Sequence, residues 1–232
     1  MFEELWRWSG PFLQGSLVIL LVFLVSLLLT VIWGLIGASA KLSSNRVARG
    51  AANAYTVIFR GTPEFLVLLL LYFGSAITLT ALAKLIWPQT RFVDLSPFWA
   101  GSLAISLIVG AAATETFRGA FLGVDQGQVE AGRALGLRRF QVFFLIRLPQ
   151  MWRLALPSFG NHLNSLVKDT ALISVIGLQE IMFTADMAAS TNSMPFAMYF
   201  TVALIYLAFT TVVTAVIRRL ERRANHFMVA AR

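Results

Sequence analysis

Two ionisable side chains interrupt an apolar stretch of the chain at residues 154–176. Lys168 and Asp169 are adjacent there, and Asn161 and Thr170 add hydrogen-bonding groups nearby. A charge in an apolar environment is costly unless it is paired or hydrated, so such residues mark ion pairs, gates or contacts with polar solutes. Lys168 and Asp169 can neutralise each other or find partners on another helix, and we favour such a structural or gating ion pair over direct contact with a substrate.

Two acidic side chains lie at the ends of other apolar stretches. Glu64 follows Pro63, and a carboxylate at the start of a helix is stabilised by the helix dipole. Contact with a cationic solute is the alternative for Glu64. Glu115 lies three residues before Arg118, so the two side chains share one helix face and are expected to pair. We also expect Glu64 or Glu115 to contribute to a preference for cations. The candidates for a substrate pathway are therefore Glu64, Glu115, Asn161, Lys168, Asp169 and Thr170.

Catalytic and metal sites find little support in the sequence. The chain has no cysteine, which excludes a disulfide framework, a thiolate metal site and a cysteine nucleophile. Its two histidines, His162 and His226, are far apart, and His162 is expected to be a packed polar residue. No nucleophile-elbow pattern supports Ser-His-Asp catalysis. We expect no catalytic residue, no metal and no cofactor in this chain.

The composition is that of a membrane protein. Of 232 residues, 58% are apolar and 13% are charged, whereas soluble domains average about 25% charged residues. A span needs about 20 apolar residues. Uncharged stretches of this length lie at 17–40, 65–83, 95–114 and 187–217, and a further span is expected at 154–176 despite its two charges. The predicted fold is all-α, an integral membrane protein with five transmembrane helices.

The basic residues orient these spans, because Lys and Arg concentrate in cytoplasmic segments. With the N-terminus outside and the C-terminus in the cytoplasm, the inner segments hold most of the bases, Arg232 included. The outer segments hold only Arg7, Lys84 and Arg91. This bias explains the net charge of +8 without nucleic acid. The predicted organisation is an outer interfacial segment at 1–15, a five-span domain at 16–220 and a cytoplasmic tail at 221–232.

The longest inner connection, residues 123–150, is predicted to form two short helices with a turn between them. Gly136 has no Cβ atom and favours the left-handed conformation that ends the first helix, at 128–135. The second helix would cover 140–147, and Pro149 prevents its simple continuation. A loop this apolar is expected to dock on the inner leaflet or on a partner protein. Aromatic residues recur in it at helical spacing, namely Phe140, Phe143 and Phe144.

This loop resembles the EAA loop of permease subunits of binding-protein-dependent ABC importers. The pattern is E-A-A, three residues, Gly, nine residues, Ile, one residue, Leu, Pro. The chain departs from it once, with Gly132 for the second alanine, and matches elsewhere: Glu130, Ala131, Gly136, Ile146, Leu148 and Pro149. Further segments resemble the polar amino-acid uptake group of histidine/lysine/arginine/ornithine and opine type, namely 60–64, 115–121, 156–161 and 166–172.

The resemblance implies an ABC importer permease fold in the bacterial inner membrane. The loop would be a cytoplasmic coupling helix that seats in a separate ATPase, with Phe140, Phe143 and Phe144 as anchors and Glu130 setting the register. The implied substrates are polar, cationic amino acids or opine-like derivatives. The implied partners are a pair of ATPase subunits that bind ATP and magnesium, a second permease subunit, identical or paralogous, a periplasmic or extracellular substrate-binding protein, and the lipid bilayer.

The lysines give an independent indication that the motor lies elsewhere. A phosphate-binding loop of the Walker type needs Gly-Lys followed by Ser or Thr. No lysine of this chain follows a glycine. The alternative is a secondary amino-acid transporter driven by an ion gradient without an ATPase. The five predicted spans show no paired repeats, which such carriers commonly contain.

Overall fold

The computed structural model describes residues 2–229, and the regular elements in this range are helices. In chain order they are α1 (Phe2–Leu42), α2 (Arg46–Gly61), α3 (Glu64–Ile86), α4 (Pro97–Leu122), α5 (Gln126–Ala134), α6 (Arg139–Val142), α7 (Leu148–Asp169), α8 (Ile181–Asn192) and α9 (Pro195–Val229). A π-helical turn (Phe143–Arg147) joins α6 to α7, and a 3₁₀ segment (Thr170–Ile176) extends α7. The side chain of His226 and all of Arg232 lie outside the described part of the chain.

Four helices, α1, α3, α4 and α9, are long and apolar enough to cross a membrane. Residues 139–176 together with α8 form a fifth candidate, bent by 53°. The prediction of an all-α membrane protein is confirmed, and its five spans are matched when the bent pair counts as one. The bend follows Gly177, whose φ of 88° suits a residue without a Cβ atom. The direction in which the chain crosses the membrane stays a prediction from the basic residues.

The central helix is α4, because small side chains let its neighbours approach closely. Its buried positions are mostly Ala, Gly and Ser. α1 meets α4 through glycines of its own. A Cβ atom added at Gly34 would lie 2.7 Å from the ring of Phe117, and one added at Gly37 would overlap Thr114. The close contact between α1 and α4 therefore requires glycine at these positions.

Residues 2–15 continue into the first span as part of α1, and their interfacial position on the outer face stays a prediction. α1 has 41 residues, about 60 Å at 1.5 Å per residue, and so exceeds a hydrocarbon core of about 30 Å. Phe12 is buried in a cluster with Ile181 of α8 and Met198 of α9. This part of α1 is helical because its apolar face packs on protein.

The predicted division at residue 220 has no counterpart in the helices. α9 runs from Pro195 to Val229 without a break. The described part of the predicted tail 221–232 therefore continues the last span as a helix. Whether it lies in the cytoplasm depends on the predicted orientation.

Candidate functional site

The connection between α4 and α7 folds as two short helices around a glycine turn, as predicted. Asp125 caps α5 by accepting a hydrogen bond of 2.7 Å from the N–H two residues further on. Gly136 has a φ of 82°, and its N–H donates to the carbonyl of Arg133 (2.9 Å). The N–H of Leu137 donates to the carbonyl of Gly132 (3.1 Å). These two bonds form a Schellman motif, in which the left-handed position favours glycine.

The second short helix continues through Pro149, contrary to the prediction. α6, the π-helical turn and α7 follow one another without a gap from Arg139 to Asp169. Proline lacks an N–H, and its ring crowds the carbonyl four residues earlier. The wider π-helical turn precedes it, and there the N–H of Leu148 donates to the carbonyl of Phe143, five residues back. The loop is therefore joined to α7 by a continuous helical backbone.

The three phenylalanines of the loop lie in two environments. Phe143 is partly buried, and its ring stacks on that of Phe121 in α4 with 6.2 Å between centroids. Phe140 and Phe144 stack on each other, also at 6.2 Å, and are 78% and 54% exposed. The ring of Phe144 also makes an edge contact with that of Phe143, with 5.1 Å between centroids. Phe143 thus fixes the loop on α4, while the other two face outward. Two leucines of the loop are also largely exposed, Leu135 and Leu145.

The residues of the E-A-G pattern divide in the same way. Glu130 and Ala131 are exposed, whereas Gly132 is buried. A Cβ atom added at Gly132 would lie 2.5 Å from Cδ1 of Ile146, so Ile146 packs directly over this glycine. Leu148 is partly buried at the start of α7. The small residue of the pattern therefore lets the two halves of the loop pack together.

A polar cavity of about 210 Å³ lies between α4, α7 and the junction of α2 with α3. We call it the α7 cavity. Apolar side chains of α4 form one wall, among them Ile108, Val109 and Ala112. The polar groups come from the junction, from the first turn of α3 and from α7. They are Arg60, Thr62, Glu64, His162, Ser165 and Asp169.

The α7 cavity combines groups of both charge signs. The carboxyl groups of Glu64 and Asp169 are neighbours, and Oδ2 of Asp169 is buried without a hydrogen-bond partner. Arg60 lies near His162, whose Nε2 shares a hydrogen bond of 2.9 Å with the hydroxyl of Thr116. Two carboxyl groups and one guanidinium suit a solute that carries both acidic and basic groups. Among the described residues, no group of three or more His, Asp or Glu is arranged to hold a metal ion.

Among the described residues, Lys168 and Asp169 form a salt bridge neither with each other, which was one of the two expected arrangements, nor with a residue of another helix. Glu115 takes part in both of the salt bridges found among the described residues, and Lys168 in neither. Adjacent residues of a helix point about 100° apart. Lys168 is exposed, whereas Asp169 lines the α7 cavity. The two charges therefore have separate surroundings.

Glu115 joins three helices and is absent from the lining of the α7 cavity. Its carboxylate accepts hydrogen bonds from Nε of Arg118 (2.9 Å) and from Nζ of Lys41. Lys41 also donates to the hydroxyl of Thr56 in α2 (2.7 Å). The predicted Glu115–Arg118 pair is confirmed, and Lys41 extends it to α1 and α2. This cluster fixes the ends of these helices relative to α4.

The two remaining pathway candidates also lie outside the α7 cavity lining. Asn161 is exposed. Thr170 is buried, and its hydroxyl donates to the carbonyl of Val167 (2.7 Å) and lies 3.3 Å from the hydroxyl of Tyr206. Any part that Asn161 and Thr170 play in a substrate pathway stays a prediction.

Sequence reasoning missed several residues of this cavity. Neither the bias of basic residues nor the resemblance of segment 60–64 indicated that Arg60 lines a cavity, and His162 was expected to be a packed polar residue. The hydrogen bond of His162 to Thr116 agrees with packing, but its side chain also lines the cavity. A signal was present, because His162, Ser165 and Asp169 recur every three to four residues. That spacing places them on one face of α7.

Comparison with known proteins adds close relatives. The model of the family described as binding-protein-dependent transport system inner membrane component matches residues 30–226. The chain is 41% identical over 219 residues to the histidine/lysine/arginine/ornithine transport system permease protein HisQ of Escherichia coli (strain K12), covering 94% of this chain and 95% of that protein. It is 39% identical over 217 residues to the octopine transport system permease protein OccQ of Rhizobium radiobacter, covering 94% and 91%.

Solved structures share the fold. The crystal structure of an amino acid ABC transporter with histidines matches with a TM-score of 0.79 and 28% identity, covering 96% of this chain and 98% of that one. An inward-facing MetNI methionine ABC transporter matches with a TM-score of 0.68 at 16% identity, covering 94% and 98%. The predicted ABC importer permease fold is confirmed. The chain belongs to the family of binding-protein-dependent transport system inner membrane components.

Proposed function

We propose that this chain is the multi-pass permease subunit of an ABC importer in a bacterial inner membrane, and that it carries cationic amino acids or opine-like derivatives. The observation that carries the substrate class is the α7 cavity, with its two carboxyl groups and one guanidinium. The relatives are named for transport of histidine, lysine, arginine, ornithine and octopine. These names support the same class of substrate.

The charges of the cavity match those of a cationic amino acid. Such a substrate has one carboxylate, one α-ammonium group and a cationic side chain. Arg60 is placed to bind the carboxylate, while Glu64 and Asp169 bind the two cationic groups. Oδ2 of Asp169 lacks a hydrogen-bond donor, which a substrate ammonium or guanidinium would supply. Hydroxyl groups of Thr62 and Ser165 offer further hydrogen bonds.

Charge-neutral variants of the two acids test this assignment. Glu64→Gln and Asp169→Asn keep the side-chain shapes and remove the charges. In proteoliposomes holding the complete importer, we expect each to lower ATP-dependent arginine uptake at least about tenfold, because a desolvated charge pair loses one partner. Lys168→Gln is the matched control, since Lys168 is an exposed neighbour on α7. Arginine uptake at the normal rate by both acid variants would refute the cationic site.

The exposed rings of the loop support a separate motor. Phe140 and Phe144 form an apolar surface that a partner would bury. In the proposed assembly, a pair of ATPase subunits with ATP and magnesium binds this surface. A second permease subunit, identical or paralogous, encloses the pathway, and a substrate-binding protein docks on the opposite side. The chain itself has no Gly-Lys sequence with which to hold ATP.

The continuous helix from the loop to the cavity explains how the motor would act. From Leu148 to Asp169, α7 has 22 residues, about 33 Å at 1.5 Å per residue. A movement imposed on the loop by ATP-driven closure therefore reaches Asp169 through one helix. Displacing Asp169 relative to Glu64 on α3 would open the cavity to one side and close it to the other, which is alternating access.

The requirement for an ATPase separates this proposal from an ion-driven carrier. The importer is expected to co-purify with an ATPase subunit, and uptake should need ATP. The chain reconstituted alone, with an ion gradient across the membrane, should not accumulate arginine. Accumulation under that condition would favour the secondary transporter instead.

A further inference from the structure

We infer that a second cavity, far from the loop at residues 123–150, binds the cationic group of the substrate before the substrate reaches the α7 cavity. The inference rests on the proposed function. This α8 cavity has a volume of about 220 Å³ and lies between the 3₁₀ segment, α8 and α9. Its lining consists of Ser174, Val175, Met182, Phe183, Asp186 and Tyr199.

Asp186 gives the α8 cavity its negative charge. Between residues 170 and 217 the sequence contains only two charged residues, Glu180 and Asp186, both acidic. The carboxylate of Glu180 is buried and caps α8 by accepting hydrogen bonds from two backbone N–H groups (2.9 and 3.0 Å). Asp186 is exposed, and its Oδ1 accepts a hydrogen bond from the hydroxyl of Tyr199 (2.8 Å). A carboxylate has room for further donors beyond this one.

The other lining groups favour a cation over an anion or a purely apolar ligand. Phe183 and Tyr199 contribute aromatic rings, and an aromatic face attracts a guanidinium or ammonium group. Met182 adds a polarizable sulfur, and Ser174 lies at the edge. No Lys or Arg is among the lining residues. One carboxylate beside two rings is the chemistry that recognises the end of an arginine or lysine side chain.

The 3₁₀ segment connects the two cavities. A 3₁₀ helix has three residues per turn, so Asp169 and Val175 lie on the same face, about 12 Å apart at 2.0 Å per residue. Asp169 lines the α7 cavity and Val175 lines the α8 cavity. The α8 cavity is therefore beyond the end of α7 that is remote from the loop. In the proposed order of binding, a cation leaving Asp186 would next bind the carboxylate of Asp169.

The hydrogen bond between Asp186 and Tyr199 also has a purely structural explanation, since it fixes α8 on α9. Two substitutions separate the explanations. Asp186→Asn keeps an acceptor for Tyr199 and removes the charge. Tyr199→Phe removes the hydrogen bond and keeps both the charge and the ring. If the bond is only structural, Tyr199→Phe should weaken arginine binding more than Asp186→Asn does. If the cavity binds a cation, Asp186→Asn should weaken arginine binding more.

The cysteine-free chain allows occupancy to be measured directly. Val175 is 58% exposed, so a Val175→Cys variant of the complete purified importer can be alkylated with a maleimide. Mass spectrometry of this chain then measures the rate of labelling. Arginine should slow the labelling, and its neutral analogue citrulline should not. Asp186→Asn should raise the arginine concentration that gives half-maximal protection about fivefold, whereas Tyr199→Phe should leave that concentration unchanged. Met194→Cys, outside the cavity lining, controls for general effects of arginine.

A cysteine in the α7 cavity shows which proposal fails. Ala112→Cys lies in that lining and reports arginine there. If arginine protects Ala112→Cys but not Val175→Cys, the α8 site is refuted and the proposed function stands. If arginine protects neither cysteine, the α8 site and the proposed function are both refuted. Equal protection of Val175→Cys by arginine and citrulline, or protection that Asp186→Asn leaves unchanged, also overturns the inference.

Discussion

The coupling loop and the α7 cavity are built in opposite ways. The loop is one contiguous stretch, residues 123–150, and its turns are set by local residues such as Asp125 and Gly136. The polar groups of the cavity come from separate parts of the sequence around Arg60 and Asp169. They meet because α7 and the α2–α3 junction both lie beside α4. The loop is therefore a local motif, and the cavity is a product of tertiary packing.

This difference has consequences for how each region tolerates change. An exposed residue of the loop contributes little to the fold, so under the proposed function its loss should affect binding of the ATPase rather than stability. A residue that holds the helices around α4 should affect stability first. Variants at exposed loop residues and variants at residues packed around α4 therefore test whether transport coupling and stability can be changed separately.

The largest effect is expected from the double variant Phe140→Asp with Phe144→Asp. Both rings are exposed, so the fold should persist, but the two aromatic anchors proposed for the ATPase are lost. Anchors of this type contribute about 2 kcal/mol or more each, so uptake should fall at least about 30-fold. The measurements are ATP-dependent arginine uptake in proteoliposomes and co-purification of the ATPase.

The leucine variants at the same two positions control for this prediction. Phe140→Leu with Phe144→Leu keeps an apolar surface and should retain a large part of the activity. Arginine protection of Ala112→Cys should be unchanged in the aspartate variant, because the cavity is built elsewhere. Normal uptake by the aspartate variant would show that the ATPase does not bind these rings.

A smaller effect, on stability rather than transport preference, is expected from Glu115→Gln. The side chain of Lys41 is only 10% exposed, and this substitution removes its carboxylate partner. A partly buried donor left with a weaker acceptor costs about 1–3 kcal/mol, and a chain of this size loses roughly 2–4 °C in Tm per kcal/mol. Thermal unfolding of the purified importer measures the loss.

The transport preference of Glu115→Gln tests whether Glu64 and Glu115 have different roles. Glu64 lines the α7 cavity and Glu115 does not. The ratio of arginine to neutral amino-acid uptake should therefore change in Glu64→Gln and stay constant in Glu115→Gln. Arg118→Gln, which removes the more exposed partner of Glu115, should lower Tm less. A changed ratio in Glu115→Gln would extend the pathway to the Lys41 cluster.

Much of the fold could be predicted from the sequence, because the length of an uncharged stretch is a local property. The helices that begin after Pro63 and at Pro195 follow from local signals as well. The expected fourth span ends at residue 176, next to the bend at Gly177, but the helix α8 beyond it was not predicted, because its start depends on the cap that Glu180 gives it. The extent of α1 was missed because burial of Phe12 depends on α8 and α9.

The cavity was predicted only in part, for the same reason. Glu64 and Asp169 were found because each is a charge next to apolar residues. Arg60 was not, because its charge already had an explanation in the orientation of the chain. Lys168 was paired with Asp169 on the basis of adjacency, although adjacent helical side chains point in different directions. Which helix each side chain faces is fixed by packing around α4.

The smallest effect is expected from Gly132→Ala, which restores the second alanine of the E-A-A pattern. The added Cβ atom would come too close only to the terminal Cδ1 of Ile146, at 2.5 Å, and a side-chain end can move; Leu137 and Val142 lie at ordinary contact distances of 3.5 and 3.6 Å. The gain in helix propensity is about 1 kcal/mol and offsets a repacking cost of similar size. Tm should stay within about 2 °C of the parent value, and arginine uptake should remain within about twofold.

The matched control is the same substitution in α1, Gly37→Ala. There the added Cβ atom would overlap Thr114, including atoms close to the backbone of α4, so two packed helices must separate. We expect a clear loss of Tm for Gly37→Ala. A comparable loss for Gly132→Ala would show that the loop is packed as tightly as the contact between α1 and α4. The contrast between a locally built loop and a cavity built by packing would then no longer hold for stability.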